Sequence, residues 1–146
     1  LGGQLMSKAL GGQVTRNPVK EIGWGAVTVV NSPLARKWFG DIQGFESFHW
    51  HGETFSTPEG ATRILESAAC PNQAYVFGKH LGMQCHVEMT AAMIDEWCAS
   101  GADEIAAAGS IPTVQTPEAM KVGREARLKA LNQSAETLYR HWIKGL

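Results

Sequence analysis

A histidine and a carboxylate two residues apart, His86 and Glu88, close an apolar run that begins at Gly82. On an extended backbone, residues so spaced face the same side. The carboxylate can then accept a hydrogen bond from one imidazole nitrogen. This fixes the tautomer and leaves the other nitrogen as base or acid toward a nucleophile. Taken alone, H-x-E also describes a strand-end histidine satisfied by a neighbouring acid. A second constellation stands at the start of the chain. Leu1-Gly2-Gly3-Gln4, followed by helical spacing, reads as the downstream half of a nucleophile elbow, where small residues let a helix leave a strained turn closely packed. A helix N-terminus favours a thiolate and a developing oxyanion beside it; the plainer alternative is a glycine-rich start to an ordinary helix. No nucleophile precedes Leu1 in the sequence, so on the elbow reading the chain is an incomplete catalyst whose natural form extends upstream.

Other chemistry-bearing residues read as structural. His49 and His51 form H-x-H with both rings on one strand face, a spacing that can bind zinc or copper. No further ligand stands at an informative spacing, so the pair reads as structural or pocket-lining and no metal is assigned. Cys70, Cys85 and Cys98 are odd in number and unpatterned, which fits a reduced cytoplasmic protein and no disulfide framework. Cys85 should point away from His86. The five tryptophans read as core, because no basic residues interleave with them.

Composition narrows the partners. Over 146 residues, 44% are apolar, 18% are charged and the net charge is −1. That gives no electrostatic case for nucleic acid or an anionic membrane, and no apolar run reaches the length of a membrane span. The elements that must position the candidate residues follow from periodicity and punctuation. A helix is expected over 4–10, ended by Gly11-Gly12, then a turn at Asn17-Pro18 and a valine-rich strand over 22–30. A short helix over 34–39, closed by Gly40, precedes a strand over 45–51. Short strands are expected over 62–67, 74–77 and 82–86, and a helix over 89–99 with Met93, Ile94 and Trp97 inward. Residues 101–109 read as a helix end and loop. Thr116 and Pro117 should cap another helical region. Leu128, Leu131, Ala135, Leu138 and Trp142 repeat at three and four residues, a stripe that packs on the domain or pairs two copies as a homodimer.

Four partial motifs in order carry a family resemblance. Leu1, Gly2, Gly3 and Gln4 match the last four positions of G-x-C-x-G-x-Q. Asn17-Pro18 with Glu21-Ile22-Gly23-Trp24 matches N-P-x-x-E-I-G-W. His51-Gly52-Glu53 matches an H-G-D/E turn, and Gln84, Cys85, His86, Val87 and Glu88 match Q-x-H-P-E, with Val87 in place of the usual proline. Over about residues 1–98 the chain resembles the C-terminal part of a class I, Cys-His-Glu triad glutamine amidotransferase domain, nearest to the stand-alone GMP-synthase-like amidotransferases. The resemblance implies a three-layer, flavodoxin-like α/β fold with a mostly parallel central sheet. It implies one domain over 1–146, incomplete at the N-terminus, with 116–146 as its helical extension. The nucleophilic cysteine would lie just before Leu1, with His86 as base and acid and Glu88 orienting it. The Leu1 N–H would serve the oxyanion hole, Gln4 would contact glutamine, Gly2 would belong to the same substrate-binding turn, and the backbone of His51, Gly52 and Glu53 would line the pocket. No cofactor is implied; an ammonia-accepting synthetase subunit or domain is. A γ-glutamyl hydrolase of the same superfamily and a non-catalytic amidotransferase-like binding module are the alternatives.

Overall fold

The computed structural model describes residues 1–145. In chain order the elements are α1 (Gly2–Ala9), β1 (Val14–Val29), α2 (Pro33–Phe39), β2 (Gly44–Phe55), β3 (Thr62–Glu66), β4 (Ala74–Phe77), β5 (His80–Met83), α3 (Ala91–Ser100), α4 (Ala102–Ala108), α5 (Pro117–Lys121) and α6 (Arg124–Lys144). Local chemistry sets many of the boundaries. Ser32, Thr90 and Thr116 each cap a helix, their hydroxyls accepting from the backbone N–H three residues on. Gly40 and Gly11, both at positive φ, take the backbone out of α2 and α1.

The strands form one mixed-fold sheet in the order β2-β1-β3-β4-β5, and every ladder in it is antiparallel. This corrects the expectation of a mostly parallel central sheet for the described residues. Parallel neighbours need a crossover of about a dozen residues or more, whereas β4 and β5 are joined only by Gly78 and Lys79. A single parallel bridge, Ile22 to Val114, is the exception.

Three local expectations also change. Asn17-Pro18 is not a turn: β1 runs through it, and the register breaks there. Arg16 faces Glu53 and Glu21 faces His51, so residues 17–20 bulge opposite Gly52. A proline has no N–H for a ladder and is tolerated at such a bulge. The strand expected over 82–86 ends at Met83, and His86 then crosses to β2 as an isolated bridge with Phe48. Residues 101–109 contain α4 instead of a loop.

The core is built from Ile22, Trp24, Phe48, Ile94 and the α6 stripe. Leu128, Leu131, Ala135 and Leu138 are buried, with α6 packed on α2 and β2. Each of these leucines stabilises the fold by about 1.5–3 kcal/mol. Of the two readings of this stripe, packing on the domain is the one seen: its residues are covered by their own chain. Helix α1 packs differently from its sequence pattern, with Leu5 58% exposed and Gly3 and Ser7 buried instead. The close approach of α1 to β5 decides this: a Cβ on Gly3 would sit 2.6 Å from the Met83 carbonyl oxygen. Cys70, Cys85 and Cys98 are free and buried.

Candidate active site

The backbone places His86 firmly. Its N–H donates to the Phe48 carbonyl at 2.8 Å, and its own carbonyl accepts from Ser47 Oγ at 3.0 Å. The ring then turns toward Glu88, with Nδ1 2.7 Å from Oε1. Trp97 of α3 meets the imidazole edge-on, with centroids 4.9 Å apart. Engagement of Nδ1 leaves the Nε2 edge available. Glu88 has a second partner, the Val87 N–H, which donates to Oε2 at 2.9 Å. A proline at position 87 could not make that bond, so the departure from the motif adds a donor to the carboxylate. Partial burial pushes the Glu88 carboxyl up. The His86 hydrogen bond and charge outweigh it, together with the backbone donors, and hold the carboxyl below its ordinary value.

His86 opens onto a cavity of about 220 Å³. Leu1, Gln4, His51, Gly52 and Glu53 line the same cavity, so six of the residues singled out by sequence converge there. Gly2 does not line it; it sits exposed in the first turn of α1. The volume falls below the ~300 Å³ lower end of pockets for drug-sized ligands and suits a molecule of amino-acid size.

Three lining residues were not singled out as lining the pocket: Trp50, Gln84 and Glu104. Trp50 Nε1 donates to Glu104 Oε2 at 2.8 Å, Lys20 Nζ meets Glu104 Oε1 at 2.5 Å, and Trp50 packs edge-on against Trp97 at 5.8 Å. These bonds, the Lys20 one first, hold the Glu104 carboxyl below its usual value despite partial burial. Gln84 stands in the Q-x-H motif, so the sequence carried a signal for it. Nothing in the sequence links Glu104 to Trp50.

Beneath the pocket lies a buried polar cluster. Glu21 Oε2 is 2.9 Å from His51 Nε2 and accepts from Gln73 Nε2 at 2.7 Å, and Glu21 Oε1 accepts from Ser67 Oγ at 3.0 Å. Glu21, His49 and His51 are the cluster that could hold a metal among the described residues, with ligand atoms all within 4.8 Å. In this structure two of those three groups, Glu21 and His51, are joined directly by the 2.9 Å contact.

No protein-family model matches the chain. The glutamine amidotransferase-like protein YfeJ of Salmonella typhimurium is 33% identical over 97 residues. A crystal structure of a glutamine amidotransferase from Methylobacillus flagellatus superposes over 99% of this chain with a TM-score of 0.90 and 45% identity. Another, from Thermotoga maritima, superposes over 97% with a TM-score of 0.82 and 29% identity. The relatives of this chain are glutamine amidotransferases. The glutamine amidotransferase resemblance carried by the four motifs is thus matched by similarity of sequence and of fold. The chain spans 41% of YfeJ, and 60% and 59% of the two crystallised chains. Among the described residues no helix is long and apolar enough to cross a membrane.

Proposed function

We propose that this amidotransferase-like chain supplies the histidine–glutamate side of a site that hydrolyses the side-chain amide of glutamine. The observation that carries the reading is the His86–Glu88 contact of 2.7 Å at the rim of a small cavity that Leu1 and Gln4 also line. The nucleophile is a cysteine placed just before Leu1, at the N-terminus of α1. Its thiolate attacks the amide carbon, and the oxyanion that forms accepts from the Leu1 N–H. His86, holding the thiol proton on Nε2, gives it to the departing nitrogen, and ammonia leaves. Water, deprotonated by His86, then attacks the γ-glutamyl thioester and releases glutamate and the thiolate, so glutamine and water become glutamate and ammonia. Glu88 orients the ring and stabilises the imidazolium between the two proton transfers. Gln4 and the backbone at His51 and Gly52 hold the substrate. The hydrolysis needs no cofactor. The ammonia passes to a synthetase-type partner or domain, and the setting is the cytoplasm.

Ammonia release from glutamine by the intact natural protein tests this. His86→Ala should cut kcat by about 10²–10⁴-fold, the range for losing a general acid–base group. Activity unchanged in that variant sinks the reading. Faster turnover of γ-glutamyl peptides than of free glutamine would transfer the site to γ-glutamyl hydrolysis.

A further inference from the structure

The buried cluster under the pocket has a definite protonation pattern, which follows from counting donors and acceptors. Glu21 faces only donors: the Gln73 amide N–H, the Ser67 hydroxyl and the His51 ring. Ser67 Oγ already accepts from the Cys70 N–H at 3.0 Å and from Gln73 Nε2 at 3.0 Å, so its own proton is free to point at the carboxylate. His51 faces only acceptors. Nε2 meets the Glu21 carboxylate at 2.9 Å, and Nδ1 meets the Glu53 carbonyl at 3.0 Å. A neutral ring beside a carboxylate would turn one bare lone pair at an acceptor oxygen. Two arrangements meet this count: a protonated Glu21 donating to Nε2 of a neutral ring, or a carboxylate accepting from an imidazolium. The further donors that Gln73 and Ser67 direct at Glu21 favour the ionised carboxylate, and with it the imidazolium.

His49, on the same face of β2, is in the opposite state. Its Nε2 lies 3.2 Å from the Gly25 carbonyl, and its Nδ1 is buried without a partner among the described residues. Burial holds this imidazole below its ordinary value, against the pull of Glu21. Glu21 itself lies below its usual carboxylate value: burial pushes it up, but the bond from His51 and the nearby imidazoles outweigh this.

The pair reaches the pocket through one carbonyl. Glu53 O accepts from His51 and also from Gln84 Nε2 at 2.9 Å, and Gln84 Oε1 faces Gln4 Nε2 at 3.5 Å. Glu53, Gln84 and Gln4 all line the cavity. We propose that Glu21 and His51 are positioning residues: a buried ion pair that fixes the Glu53 carbonyl, and through it Gln84, and so sets the affinity of the pocket for its substrate. The role in affinity rests on the glutamine-hydrolysis reading; the ion pair itself does not.

Two measurements on the intact protein test it separately. In ¹⁵N-histidine-labelled protein at neutral pH, the ring of His51 should show two protonated nitrogens and that of His49 only one, with Glu21→Gln removing a proton from His51. A single N–H on His51 in the wild type overturns the pair. So does stoichiometric zinc between the two rings, which would leave one N–H on each. The wild-type spectrum needs no variant, so it decides even if Glu21→Gln fails to fold. In the kinetic arm, Glu21→Gln should raise KM for glutamine about tenfold or more, the effect of one lost charged hydrogen bond, with kcat changed far less. A fall in kcat at unchanged KM overturns the positioning role. Absence of glutamine hydrolysis in the wild type removes that role together with the activity reading, and leaves the ion pair to be judged by the spectrum.

Discussion

Gly101→Ala sets two physical effects against each other. Gly101 has φ −99°, a conformation any residue adopts. Removing a glycine from an unstrained site should stabilise the protein by about 0.4–1 kcal/mol through the unfolded chain. The packing says the opposite, because a Cβ there would lie 2.2 Å from Trp50 Cζ2, 2.9 Å from Cη2 and 2.9 Å from the Trp97 carbonyl oxygen. Overpacking of that kind costs about 1–3 kcal/mol, so the steric effect wins by about 1–2 kcal/mol if Trp50 only tilts. If the indole loses its bond to the Glu104 carboxylate, about 1.5–3 kcal/mol more is lost. At about 2–4 °C per kcal/mol for a chain of this size, thermal unfolding should shift down by about 2–8 °C, and by about 5–20 °C if the bond breaks. The assay is thermal unfolding of the wild type, Gly101→Ala, Trp50→Ala and the double variant. In the Trp50→Ala background the two indole contacts are gone and the Trp97 carbonyl contact remains, so the cost of the alanine should shrink. A Gly101→Ala protein as stable as the wild type would refute the close approach of α3 to Trp50, and with it this wall of the pocket.

Val87→Pro removes the N–H that donates to Glu88 while leaving the His86 contact in place, so the Glu88 carboxyl should titrate closer to its ordinary value by NMR. Glu21 and Glu88 both sit below the reference value of 4.5 in the folded protein. The unfolded chain therefore takes up protons first as pH falls. Their contribution is complete above pH 4.5 and is lost as pH drops through the folded values, so urea midpoints should decline there, and less steeply in Glu21→Gln. The Cys85 thiol is buried and pushed up to about 12 by desolvation, so iodoacetamide should leave it unmodified in the native protein at pH 8 and alkylate it after unfolding.

The parts of the molecule legible in the sequence are those set within a few residues. The Thr116 N-cap, the glycine exits at Gly11 and Gly40 and the α6 stripe each depend on chemistry inside one or two turns. The His86–Glu88 contact belongs with them: its partners are two residues apart and meet even though β5 ends before they do. What the tertiary structure decided is which distant residues complete the site. Sequence offered two histidines with no third group; the β1 bulge and the antiparallel register put Glu21 opposite His51. Glu104 reaches Trp50 across 54 positions and Lys20 across 84. Strand direction had the same origin, since an apolar strand pattern reads alike in parallel and antiparallel neighbours and only the short connections forbid the crossover. Side-chain period fixes a face, and it does not fix the partner on the next strand. That partner is chosen by register and packing over the whole chain, which is why the dyad and the motif residues Leu1, Gln4, His51 and Gly52 could be read in the sequence, while the Trp50–Glu104 wall and the Glu21–His51 pairing could not.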